Sequence, residues 1–125
     1  MDQREARQAH NELFFRSVNE SIEDIGDDVF DSPEERGRRP YEFLCECHRT
    51  DCTERIPLTI PEYENVRSDS RQFLVAPAAE HVNESVEEIV DRSSRYWVVR
   101  KVGEAGRLAD ADAGAREADE PDISR

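Results

Sequence analysis

Near the N-terminus, apolar residues recur at steps of three and four. Phe14, Val18, Ile22 and Ile25, with Phe15 beside them, form a stripe at the period of an α-helix. The spacing predicts an amphipathic helix from about Arg4 to Ile25 that buries Phe14, Val18 and Ile22. Asn11, Glu12, Arg16, Asn19, Glu20 and Glu23 fall on its polar face, and Gly26 is a natural stop. A core-facing helix is the first reading. The alternative is that Phe14, Phe15 and Val18 lie in the groove of a protein partner. His10 sits in the polar half and reads as a solvated residue.

The segment 27–40 carries no periodic pattern. Acidic residues around Pro33 give way to Arg36, Arg38 and Arg39, and the stretch reads as a linker. From Tyr41 the period becomes two: Tyr41, Phe43, Cys45 and Cys47 alternate with Glu42, Leu44 and Glu46. That predicts a strand, with Glu46 as a surface glutamate on it. Arg55–Leu58 reads as a short return strand confined to an edge by Pro57. Thr59-Ile60-Pro61-Glu62 is a capping box, opening a short helix to about Arg67 with Tyr63 and Val66 inward. Gln72–Ala76 is a further strand stopped by Pro77, and 78–84 is loop. The runs 86–91 and 96–101 read as a hairpin, although Val86, Ile89 and Val90 also fit a helical turn. After Gly103 large apolar residues almost vanish, and Glu104 to Arg125 reads as a disordered acidic tail. The expected organisation is therefore a helix (1–26), a linker (27–40), a small α+β domain (41–102) and a tail (103–125).

Charge narrows the partners. The chain of 125 residues carries a formal net charge of -13, which repels phosphate backbones and anionic lipid surfaces. Nucleic acid and membrane are not expected as partners; solubility, or a basic protein partner, explains the acidity. No apolar run approaches the ~20 residues of a bilayer span, and Met1-Asp2-Gln3-Arg4-Glu5 does not open like a signal peptide. The expectation is a cytoplasmic protein, in which clustered cysteines more often bind metal or do redox chemistry than form disulfides.

All three cysteines lie between positions 45 and 52, spaced C-x-C-x4-C. Strand alternation points Cys45 and Cys47 the same way, and the loop His48–Asp51 returns Cys52 towards them. Structural zinc takes four ligands, usually thiolates and imidazole, in a tetrahedron. Three cysteines leave one position. His81, in the loop after a strand, is the best candidate; His48 and Asp51 are the alternatives. Reduced cysteines packed as small hydrophobes, or a thiol switch, are the readings without a structural metal.

The stretch Phe43–Cys52, with Leu58-Thr59-Ile60-Pro61-Glu62-Tyr63, Phe73–Pro77, Tyr96–Val99 and Phe15-Arg16 in the first helix, resembles a family of small uncharacterised bacterial proteins. Its pattern is C-x-C-x4-C, an L-T-x-x-E-Y helix, a strand ending in proline and a histidine soon after. The resemblance implies the same fold and ligand set and carries no activity with it. Where that family has Gly-His directly after the proline, this chain has Ala78-Ala79-Glu80 before His81, so a longer loop must carry the imidazole.

No H-E-x-x-H, P-loop, G-x-S-x-G, Rossmann glycine pattern or zinc-deaminase H-x-E with P-C-x-x-C occurs. The expectation is a non-catalytic α+β protein. It combines an N-terminal amphipathic helix, a small antiparallel sheet, one short helix and a zinc-knuckle-like cluster of Cys45, Cys47, Cys52 and His81. Such a protein serves interaction or regulation; the alternative is a cysteine-based redox sensor that releases zinc on oxidation.

Overall fold

The computed structural model describes residues 3–29, 37–49 and 51–119. The chain runs α1 (Gln3–Val29), β1 (Pro40–Leu44), β2 (Arg55–Thr59), α2 (Ile60–Arg67), β3 (Gln72–Val75), β4 (Glu87–Arg92), β5 (Trp97–Lys101) and α3 (Gly103–Asp119), with a 3-10 turn at Ala79–His81. The class is α+β, as the pattern of periods implied. Of the linker expected over 27–40, residues 30–36 lie outside the described residues, as do 120–125 of the tail. Among the described residues no helix is long and apolar enough to cross a membrane.

The strands form two antiparallel sheets rather than one. β1 pairs with β2, setting Phe43 opposite Ile56 and Tyr41 opposite Leu58. The second sheet has the order β3-β5-β4. β4 and β5 are the hairpin that the short polar connection predicts, with an irregularity between Ile89 and Asp91 that leaves Val90 exposed. α2 starts as its sequence dictates. The Thr59 side chain accepts from the Glu62 amide while the Glu62 carboxylate accepts from the Thr59 amide. Its inner residues Tyr63 and Val66 join Phe43, Ile56, Leu58, Phe73, Leu74 and Val99 in the core. The rings of Phe43 and Tyr63 stack at 4.5 Å.

Two expectations are corrected here. The first concerns the face of α1. Phe14 is 57% and Ile25 61% exposed, Val18 is half-buried, and Ile22 packs only partly on the core. The fully covered stripe is instead Glu12, Arg16 and Asn19. α1 lies across backbone edges and opposed charges, which give polar side chains the partners that offset the cost of burial. Asn19 donates to the Leu44 carbonyl and accepts from the Leu44 amide, each at 2.8 Å, as a neighbouring strand would. Arg16 donates to the carbonyls of Ser70 and Ala109 and pairs with Asp112, with its guanidinium over the Phe73 ring. Lys101 is held between Glu12 and Glu87, and all three are buried. Burial pushes Glu12 up to about 7, against the pull of Lys101. Burial also works against the Lys101 ammonium, yet Glu12 and Glu87 hold it above its ordinary value.

The second correction concerns the tail. Residues 103–119 are helical, not disordered. Large apolar residues are scarce because this helix packs with small ones: Ala105 and Ala109 are buried. A Cβ added at Gly106 would come within 2.9 Å of the Lys101 carbonyl oxygen and 2.8 Å of the Arg71 guanidinium, so close approach to β5 requires glycine. Gly103, at a φ of 59°, makes the turn into the helix. Asp110 pairs with Arg71 at 2.8 Å and accepts from the Ser70 hydroxyl, and Asp112 receives Arg16. Acidic residues that read as a solvated tail are in part its attachments.

Candidate metal centre

β1 ends at Leu44, but the pairing runs on. The Cys45 amide donates to the Glu54 carbonyl at 3.1 Å, and the Glu46 amide donates to the Leu74 carbonyl at 2.7 Å. The C-x-C segment therefore spans from the hairpin to β3. Its alternation turns both cysteines to one side, where Cys45 and Cys47 are buried, and Cys52 joins them half-buried from beyond the loop. After β3, the residues Ala78–Glu80 that lengthen the loop wind into the 3-10 turn. The His81 amide closes that turn onto the Ala78 carbonyl at 3.1 Å, and the ring arrives buried.

One ligand atom from each of Cys45, Cys47, Cys52 and His81 lies within 4.8 Å of every other. His81 Nδ1 is 3.5 Å from Cys45 Sγ and 3.7 Å from Cys52 Sγ. Zn–S bonds of about 2.3 Å and Zn–N bonds of about 2.0–2.1 Å in a tetrahedron imply S···N edges of roughly 3.6 Å and S···S edges of roughly 3.8 Å. The two imidazole edges match, and the widest pair needs side-chain movement of about 1 Å at most. The donor set fits a thiophilic ion such as zinc.

The surroundings favour a thiolate at Cys47. The Ala76 amide donates to Cys45 Sγ at 3.2 Å. Hydrogen bonding within the cluster, from Cys45 first and then from His81 and the Arg49 amide, draws Cys47 down to about 4 against the effect of burial. Its neighbours move the other way: Cys45 rises because it keeps the proton it shares with Cys47, and Cys52 rises through burial. The other imidazole nitrogen of His81 faces Glu80 at 3.8 Å, and Glu80 in turn meets Arg49 at 3.3 Å. A carboxylate behind a ligating imidazole fixes its orientation in many metal sites.

Of the alternative fourth ligands, neither joins the cluster. His48 is half-buried with its Nδ1 shielded and unpartnered, and the Asp51 side chain is 77% exposed and paired with Arg49. Sequence reasoning missed Glu46. Expected on the surface, it is fully buried. Its carboxylate accepts from Asn19 at 2.8 Å, from the Tyr63 hydroxyl at 2.6 Å and from the Leu74 amide at 2.8 Å. Tyr63 is pushed well above its ordinary value, first by burial and then by the Glu46 charge. The available signal was position: the residue between two inward cysteines points to the other side, onto which α1 and α2 fold.

No family model, curated protein or solved structure matches the chain, so the reading of this site rests on its own geometry.

Proposed function

We propose that Cys45, Cys47, Cys52 and His81 hold one zinc ion as a structural staple, and that the protein is a non-catalytic interaction or regulatory module. The observation that carries this is the convergence of four soft or borderline donors from three separate stretches of chain, within 4.8 Å of one another. Four protein ligands fill a tetrahedron and leave no position for an activated water. The interaction face is on α1. Phe14 is exposed beside Phe15, their ring centroids 5.9 Å apart, with Val18 one turn on. Those three residues are suited to the apolar groove of a protein partner. Metal analysis of protein purified under reducing conditions without chelator tests the staple. About one zinc per chain is expected, with loss in Cys47→Ser; a metal-free wild type removes the proposal. Phe14→Asp should abolish association with a partner while leaving metal content unchanged.

A second reading rests on Cys52, the most exposed of the four ligands. Hydrogen peroxide would take two electrons from two thiolates and two protons from solvent, forming a disulfide and two waters and releasing the ion, which makes the site a redox sensor. Metal release that is reversible at low peroxide favours the sensor; insensitivity favours the purely structural site.

A further inference from the structure

Beside the cysteine loop lies a cleft of about 550 Å³, lined by Arg4, Arg7 and Gln8 of α1 and by His48, Arg49 and Asp51 of the loop. Three guanidinium groups and an imidazole thus face one space, in a chain whose net charge is -13. Arg49 is matched by Asp51 at 3.5 Å and Glu80 at 3.3 Å. Arg4 and Arg7 are exposed and have no ion pair among the described residues. They stand three apart on one helix face, where like charges repel. His48, which the metal cluster does not use, keeps a solvent-shielded Nδ1 without a hydrogen-bond partner. Converging cations are unfavourable by themselves and become favourable around an anion.

We propose that this cleft binds the phosphoryl group of a small phosphorylated metabolite. Each guanidinium offers five N–H donors in a planar fork that matches phosphate oxygens two at a time. A phosphoryl group, with three or more acceptor oxygens, can engage both Arg4 and Arg7 in the cleft that His48 and Arg49 also line, whereas a carboxylate offers two oxygens. The volume falls within the ~300–1,000 Å³ of small-molecule sites. Asp51 stands against the anion, but its exposed carboxylate is already drawn to Arg49. Polymers of phosphate are disfavoured by the charge of the whole chain, which a compact ligand meets only locally.

The test is an NMR titration of the full ¹⁵N-labelled chain with inorganic phosphate, using malonate as a dianionic carboxylate control, at constant ionic strength. Saturable shifts of the Arg4 and Arg7 side-chain signals and of the amides at 48–49 are expected, with malonate at least about ten-fold weaker. The Arg4→Gln/Arg7→Gln double variant, altered only at exposed positions, should lose phosphate binding about ten-fold or more while its melting temperature and metal content stay as in the wild type. Shifts that do not saturate, equal affinity for malonate, or undiminished binding in the double variant would each overturn the proposal. None of these readouts depends on which ion the cysteines hold.

Discussion

Glu46 shows how much a single side chain carries in a core this small. Three donors from three elements, Asn19 of α1, Tyr63 of α2 and Leu74 of β3, end on its carboxylate. Glu46→Ala strands all three in a dry interior, at about 1–3 kcal/mol for each buried group left unmatched. Urea unfolding should show a loss of at least about 3 kcal/mol; a loss under about 1 kcal/mol would mean that the network is dispensable. Glu12 acts through protonation. Two carboxylates face one ammonium at Lys101, and burial brings Glu12 up to about 7 from an unfolded value near 4.5. A raised carboxyl means that the folded state binds the extra proton. Its contribution to stability is therefore full below about pH 4.5 and is lost as pH rises through about 7. Relative to Glu12→Gln, the wild type should weaken progressively between those two pH values. The comparison cancels the titration of the cysteines, and equal pH profiles for the two proteins would refute the assignment.

At the scale of elements, α1 and α3 depend on each other. Arg16 is fully buried, and its acceptors include the Ala109 carbonyl and Asp112, both on α3. Truncation after Val102 would take the Ala109 carbonyl and Asp112 from that guanidinium and leave the Ser70 carbonyl as its remaining acceptor among those bonds. Breaking a buried charge away from its partners costs about 3–5 kcal/mol, so the melting temperature should fall by roughly ten degrees or more. Adding Arg16→Met to the truncated chain should recover part of the loss, because it removes the stranded charge. An unchanged melt after truncation would show that α3 does not dock. These two helices are also where the sequence misleads. Elements set by local rules were legible: the Thr59–Glu62 capping box, the β4–β5 hairpin, and the alternation that aims Cys45 and Cys47 together. His81 was legible too, because a loop after a strand has few places to deliver a ring. The buried face of α1 was not, since Glu12, Arg16 and Asn19 read as solvated until partners up to 96 positions away are known. Glu46 stayed hidden for the same reason, and α3 because alanine and glycine pack closely without the bulk that marks a core helix.

For the molecule as a whole, the question is what holds two small sheets together. A two-stranded hairpin is at best marginal by itself, and β1–β2 is one. It meets the second sheet where the Glu46 amide bonds the Leu74 carbonyl and where the cluster gathers Cys45, Cys47 and Cys52 from the hairpin side and His81 from beyond β3. An ion held there would tie the two sheets at their junction. Zinc binding in small finger peptides is worth an apparent ~10–16 kcal/mol near neutral pH, against about 5–15 kcal/mol for the stability of a whole domain. Removing the ion should therefore do more than loosen a loop. A strong chelator, or Cys47→Ser, should unfold residues 41–101 cooperatively, seen as loss of the near-ultraviolet signal of Trp97 and of the buried Tyr63. His81→Ala should weaken the site less than loss of a thiolate, since a water can take the fourth position, and His48→Ala should leave metal content unchanged because His48 lies outside the cluster. Should the protein melt at the same temperature with and without zinc, the cysteines are core residues and the junction is held by Glu46 and its donors. Should His48→Ala release the metal while His81→Ala does not, the staple stands and the fourth ligand is His48.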